Sequence, residues 1–194
     1  MNQETKFGTC HKCSSTQVKT YTLPYHVENL LGMRIGVNDC AIKTACYLCK
    51  EEVITIPDVK GLITAVAVAR IMLPTKLNGL EIKFLRKVIE LSSKGFAKIM
   101  GIRPETVSRW ESNGEQKIGY SEEKIFRILV GNKLKKEPQD GDKAPAVDYD
   151  LMAIVEMAIN PIRPSGNAPL LKFARVRMKL KNKKAQDLWD ELES

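Results

Sequence analysis

Two kinds of hydrophobic pattern follow one another along the chain. Over residues 17–21 and 52–56, apolar and polar side chains alternate, which is the two-residue period of half-buried strands. From Asp58 onward, apolar residues recur at intervals of three and four, the spacing that places them on one helix face. We therefore predict two strands near the N-terminus, followed by a helix that Asp58 caps and that ends before Pro74, because the residue before proline is disfavoured in the helical region.

The middle of the chain predicts four short helices within residues 79–131. Helices over 80–91 and 122–130 flank a closely spaced pair within 93–112. In that pair, Gly101 suits a turn with positive φ and Pro104 suits the first position of the second helix. The residues expected to face the core are Ile82, Leu85, Val88, Ile89, Phe96, Ile99, Met100, Val107, Trp110, Ile125, Ile128 and Leu129. A tight turn between two short helices is typical of a helix-turn-helix, whose second helix enters the DNA major groove.

The last 63 residues, 132–194, carry weaker patterns. They begin with a polar, proline-containing linker, after which residues 151–159 predict a short apolar helix. The cation-rich segment 172–184 alternates with a two-residue period and predicts an edge strand with a charged outer face. The acidic segment 185–193 predicts a final helix. Two interpretations fit this region. It is either an accessory subdomain with a solvated, charged surface, or a surface that binds a partner protein or the DNA backbone.

Charge and length narrow the function classes. The 194 residues carry 31 Lys and Arg against 23 Asp and Glu, a net charge of +8. Such a basic balance favours nucleic acid as the partner, although a solvated cationic surface is the alternative. The longest mostly apolar run, residues 62–73, is too short to span a bilayer and contains Arg70, so we expect no membrane association. Since no secretory signal is evident at the N-terminus, we expect a cytoplasmic protein.

Four of the five cysteines form two pairs, Cys10 with Cys13 and Cys46 with Cys49. Each pair has two residues between its cysteines, so that one tight turn can present both thiolates to the same metal. Thirty-two residues separate the pairs, enough for a hairpin between two metal-binding turns. In a reducing compartment this arrangement predicts one structural Zn²⁺ bound by four cysteines, with redox pairs and disulfides as the weaker alternatives. We expect Cys40 to be a buried thiol outside the site.

These patterns together predict the fold class and the domain order. We expect a mainly α protein with a small β zinc-finger domain. The predicted order is an N-terminal four-cysteine zinc ribbon over 1–57, a linker helix over 58–78, a central helix-turn-helix bundle over 79–131 and a small α+β C-terminal extension over 132–194.

In this order the motifs resemble a known family. The two Cys-x-x-Cys pairs, the segment 79–87 and the segment 106–111 are together similar to YgiT/MqsA-type proteins, in which an N-terminal zinc finger is fused to a Cro/repressor-like (XRE) helix-turn-helix. The resemblance covers about residues 7–130. It implies a homodimeric transcriptional repressor that binds a palindromic DNA operator, and many such relatives are antitoxins of type II toxin–antitoxin pairs whose zinc domain helps to bind the toxin. It also implies that Glu105 and Arg109 occupy the base-reading positions.

The helix-turn-helix pattern places the candidate DNA contacts by itself. If Val107 and Trp110 face the core, the outer face of the second helix carries other side chains. The candidate DNA-binding residues are Arg103, Glu105, Thr106, Ser108 and Arg109, with Lys94 and Lys98 on the first helix nearer the DNA backbone. Arginine can bond guanine O6 and N7, and glutamate can accept from cytosine N4, but Arg109 could instead contact only phosphate.

The sequence leaves three functional hypotheses to compare. The first is a sequence-specific regulator that represses its own operon, as an antitoxin or as a stand-alone regulator. The second is a protein-binding adaptor that uses the zinc finger and the C-terminal extension. The third, a zinc enzyme, is disfavoured because four cysteines saturate the metal and no catalytic constellation is evident.

Overall fold

The computed structural model describes residues 8–112, 117–134, 152–153, 155–156, 161–164, 170–178 and 186–192. Within these residues the chain is mixed α/β. The prediction of a mainly α fold is therefore wrong. The elements, in chain order, are β1 (Val18–Leu30), β2 (Met33–Cys46), β3 (Glu52–Thr55), α1 (Val59–Met72), α2 (Gly79–Val88), α3 (Ser93–Met100), α4 (Pro104–Glu111), α5 (Tyr120–Leu134), β4 (Lys172–Met178) and β5 (Gln186–Leu192). None of the helices in the described ranges has the length and apolar character needed to cross a bilayer.

The first two strands form a hairpin that is longer than predicted. β1 and β2 pair antiparallel from Val18 and Cys46 to the turn at Leu31 and Gly32, where both turn residues have positive φ (52° and 102°). Positive φ at both positions is the backbone of the two-residue turns that match strand twist. The alternation in the sequence stops early because Pro24, which has no N–H for the ladder, lies where the pairing register shifts.

The sheet is completed by residues distant in sequence. β2 lies at its centre, with β1 on one side and both β3 and β4 on the other. β4 runs parallel to β2 and pairs antiparallel with β5 along its whole length. The strand predicted within 172–184 is therefore confirmed, but its edge position is wrong. The final helix predicted over 185–193 is also wrong, because pairing with β4 outweighs the weak local helix preference of that segment.

The main hydrophobic core lies between the sheet and the helices, and both contribute side chains to it. α1, predicted as a linker helix, contributes Leu62, Val66 and Ile71, which are completely buried. The same cluster contains Ile35 of β2 and Phe173 of β4. Since full burial of a large apolar side chain contributes about 1.5–3 kcal/mol, β4 stabilises the same core as the N-terminal hairpin through Phe173. Of the apolar helix predicted over 151–159, only 152–153 and 155–156 lie in the described residues, and these are helical.

The helical bundle confirms four predicted helices with two corrections to their buried faces. Ile99 and Ile125, expected in the core, are 51% and 57% exposed. On α5, Phe126 and Val130 take the inward positions instead, and the Phe126 ring packs on Phe96 with centroids 4.7 Å apart. The apolar residues of this helix allow two different faces to be buried, one with Ile125 and one with Phe126. The contact between the two phenylalanine rings selects the face with Phe126.

Buried ion pairs fix the segment that connects α1 to α2. Arg70 of α1 donates to both carboxylate oxygens of Glu81 at 2.5 and 2.7 Å, and Arg127 of α5 donates to Glu123 at 2.7 Å. Both arginines also donate to the main-chain carbonyl of Thr75. These bonds satisfy charges that would otherwise be costly to bury, so the α1–α2 connection is held against the bundle.

Candidate metal centre and nucleic-acid interface

Two short turns with the same backbone form the candidate metal centre. In the first, the amide of Cys10 donates to the carbonyl of Ser15 at 2.9 Å, and in the second the amide of Cys46 donates to the carbonyl of Glu51 at 2.9 Å. The residue directly after the second cysteine of each turn has positive φ, 56° at Ser14 and 59° at Lys50. The repeated conformation turns both thiols of each pair to the same side.

The β1–β2 ladder brings the two turns together. Val18, just after the first turn, pairs with Cys46 at the start of the second. The amide of Tyr47 also donates to the carbonyl of Gln17 at 2.9 Å. The 32 residues between the cysteine pairs thus mostly form the long hairpin. Its two chain ends lie side by side and bring the two cysteine pairs together.

The four sulfur atoms lie within 4.8 Å of one another. The Sγ atoms of Cys10 and Cys49 are 3.5 Å apart, and those of Cys13 and Cys46 are 3.6 Å apart. A tetrahedral zinc with bonds of about 2.3 Å has ligand–ligand edges of about 3.8 Å, so the four thiols are spaced to hold a metal ion. The predicted grouping is confirmed. Cys40 is buried in the main core, as predicted, and lies outside this group.

Electrostatics in the cluster favour a cation. The backbone amides of Cys13 and Lys12 donate to the Cys10 sulfur and lower the pKa of that thiol to about 6. At Cys49, the amide of Glu51 lowers the pKa, but burial and the neighbouring sulfurs outweigh it and raise the pKa to about 12. Thiols this close cannot all ionise unless a positive charge compensates them, and a divalent ion between them supplies that charge.

The candidate nucleic-acid interface begins with the turn between α3 and α4. Gly101 ends α3 in the left-handed conformation with φ 66°, and the next amide, of Ile102, donates back to Ala97 at 3.0 Å. Pro104 then occupies the first turn of α4, as predicted. Phe96 and Ala97 are buried on α3, and the Phe96 ring packs on Phe126 of α5, so this face of α3 is fixed against the interior of the bundle.

The predicted DNA-contact residues lie on the outer surface of this unit. On α4, Val107 and Trp110 are buried, whereas Glu105, Ser108 and Arg109 are exposed and Thr106 is half-buried. Lys94 and Lys98, which are also predicted to contact DNA, are exposed on α3. Arg103 is exposed at the start of α4, where its side chain makes no capping hydrogen bond.

A buried ion pair that the sequence analysis missed anchors the end of α4. Arg86 of α2 donates to Glu111 through Nε at 2.5 Å and through a terminal nitrogen at 2.9 Å, and the two side chains are only 8% and 10% exposed. A Cβ on Gly79 would lie 2.7 Å from the carbonyl oxygen of Trp110, so glycine permits α2 to approach α4 closely. The signal that could have revealed the pair is an arginine among the buried positions of α2, since a buried charge requires a partner.

Neither a family model, nor a curated protein, nor a solved structure matches the chain.

Proposed function

We propose that this protein is a zinc-containing, sequence-specific DNA-binding regulator that acts as a homodimer on a palindromic operator and represses its own operon. The observation that carries the proposal is the α3–turn–α4 unit. Its second helix has a buried face, formed by Val107 and Trp110, and an outer face that presents Glu105, Ser108 and Arg109. An α-helix presented in this way fits the major groove, and the net charge of +8 suits a polyanion.

In the proposed mechanism the two helices have different tasks. Lys94 and Lys98, exposed on α3, contact phosphates and position the protein, which contributes affinity that falls with salt. Arg109 on α4 bonds the O6 and N7 edge of a guanine, and Glu105 accepts from a cytosine amino group. The Arg86–Glu111 pair holds the far end of α4 so that these side chains keep one orientation.

The proposed metal is one Zn²⁺ bound by Cys10, Cys13, Cys46 and Cys49, whose sulfurs have the spacing described above. Four thiolates leave no coordination position for substrate, so the ion would be structural. It would join the open end of the β1–β2 hairpin to the turn that precedes β3.

A binding experiment with the zinc-loaded full chain tests the DNA proposal. An operator is first selected from a random duplex library, and binding is then titrated on that operator and on a scrambled duplex at two salt concentrations. Arg109→Ala should weaken operator binding by about 1–3 kcal/mol and relax specificity at one position per half-site. Lys94→Ala should weaken both duplexes alike and flatten the salt dependence.

Lys50→Ala, an exposed lysine in the second cysteine turn, is the matched control and should change neither affinity. If Arg109→Ala weakens binding to both duplexes equally, Arg109 contacts only phosphate and does not read a base. Failure to select any duplex would contradict the DNA proposal and favour the adaptor hypothesis. An antitoxin role is the narrower form of the proposal, and a toxin-like reading frame beside the gene would support it.

A further inference from the structure

Helix α5 carries a second apolar face that the core does not bury. Its first apolar face, with Phe126 and Val130, is completely buried. The second face contains Ile125, which is 57% exposed, and the half-buried Ile128 and Leu129. Since these two residues lie three and four positions after Ile125, the three side chains form one stripe along the helix. A surface helix ordinarily carries polar residues outside its core face, so the additional apolar stripe indicates an interface.

Polar and charged groups lie at the two ends of this stripe. Ser121 precedes the stripe by one turn and Asn132 follows it by about one turn, and both are exposed. The first turn of α5 contains Glu122, and the last turn contains Lys133. The stripe is therefore apolar in its middle, acidic at the N-terminal end of the helix and basic at the C-terminal end.

This order of groups is complementary to its own reversed copy. If two α5 helices pack antiparallel about a two-fold axis that passes between positions 126 and 127, Ile125 of each copy faces Ile128 of the other. About the same axis, Ser121 faces Asn132. The acidic first turn of each helix then lies beside the basic last turn of the other, and the two helix dipoles are opposed. A parallel arrangement would place like charges together, so the charges favour the antiparallel contact.

We propose that α5 forms the homodimer interface, through antiparallel packing of the stripe of Ile125, Ile128 and Leu129 on the same stripe of a second copy. This inference rests on the proposed function, which requires a homodimer but does not say which surface forms it. A contact between identical surfaces closes at two copies, and two copies match the two half-sites of a palindromic operator. The side chains proposed to contact DNA belong to α3 and α4 and take no part in this contact.

The size of α5 determines how strong the dimer is. The helix has 15 residues and is about 22 Å long. One such helix per copy gives an interface at the small end of the range for specific complexes. We therefore expect a weak dimer in solution, whose population rises with protein concentration. An operator that holds two copies on adjacent half-sites should strengthen the pairing.

A charged substitution in the middle of the stripe tests the interface. In the zinc-loaded full chain, Ile125→Glu should weaken dimerisation at least tenfold, because it places two carboxylates at the centre of the contact. Ile99→Glu is the matched control, since Ile99 is also an exposed isoleucine of the helical bundle, at 51% against 57%, but lies on α3. Analytical ultracentrifugation over a range of concentrations measures both variants, and circular dichroism checks that each keeps the helical signal of the parent.

Two double variants at exposed positions test the antiparallel arrangement. Ser121→Glu with Asn132→Lys places opposite charges across the axis at both ends, and should strengthen the dimer about fivefold. Ser121→Lys with Asn132→Lys places like charges there, and should weaken it by a similar factor. In a parallel dimer the first double variant would be the repelled one, because each residue would then face its own counterpart.

Three results would overturn the α5 interface. They are equal dimerisation of the Ile125→Glu and Ile99→Glu variants, no difference or a reversed difference between the two double variants, and a parent that remains monomeric at its solubility limit and binds the operator as one copy. Self-association is measured without DNA, so the two proposals fail separately. A dimer that selects an operator but survives Ile125→Glu contradicts only the interface, whereas a dimer that Ile125→Glu dissociates but that selects no duplex contradicts only the DNA proposal.

Discussion

The Arg86–Glu111 pair gives a stability prediction that the geometry makes specific. Arg86 donates twice to Glu111, at 2.5 and 2.9 Å, and once to the carbonyl of Leu91 at 2.6 Å. Both side chains are about nine-tenths buried. In Glu111→Gln the shape is kept but the negative charge is removed, so the Arg86 guanidinium stays buried without a counter-charge.

The expected loss follows from the burial of the pair. Breaking one partner of a buried ion pair costs about 3–5 kcal/mol, whereas an exposed pair is worth about 0–1 kcal/mol. Because Arg86 keeps its bond to Leu91, we expect the lower end, about 3 kcal/mol. With a urea m-value of about 2 kcal/mol/M, this loss moves the unfolding midpoint down by about 1.5 M.

Urea unfolding of the zinc-loaded chain, followed by tryptophan fluorescence and circular dichroism, measures this loss. Glu105→Gln on the exposed face of the same helix is the control and should stay within about 0.5 kcal/mol of the parent. In a double-mutant cycle with Arg86→Met and Glu111→Leu, the double variant should be more stable than the sum of the single losses predicts. A Glu111→Gln loss below about 0.5 kcal/mol, or a coupling energy near zero, would refute the assignment of this pair as an anchor of α4.

Two further predictions concern the ends of the chain. Cys49→Ser should abolish zinc binding, and this variant or treatment of the parent with a chelator should loosen the cysteine turns while the helical signal persists, because these cysteines form a small cluster apart from the main core. Metal analysis and circular dichroism check this, with Cys40→Ala as the control that should retain zinc. A parent that is purified without zinc, or a loss of the helical signal on chelation, would contradict the prediction. Phe173→Ala should lose about 3–5 kcal/mol in urea unfolding, since Phe173 is 1% exposed in the shared core, whereas Tyr25→Ala at an exposed position should lose far less, and equal losses would exclude Phe173 from the core.

Local chemistry determined the features that depend on near neighbours in the sequence. The two-residue spacing in each cysteine pair was enough to predict two tight turns that each present both thiols on one side, because such a turn involves only adjacent residues. Gly101 and Pro104 likewise predicted the turn between α3 and α4, since positive φ and a fixed φ are properties of those residues themselves. The helix over Val59–Met72 followed from its cap, its period and the proline after it.

Only the tertiary structure decided the features that depend on distant partners. The C-terminal segment 186–192 has apolar spacing that a helix or a strand can accommodate, and β4 makes it a strand by pairing with it. The phase of α5 depended on the contact of Phe126 with Phe96, which lie 30 positions apart in the sequence. Burial of Arg86 depended on Glu111. In each case the deciding energy comes from a contact between residues far apart in the chain, and no local pattern records which residues those are.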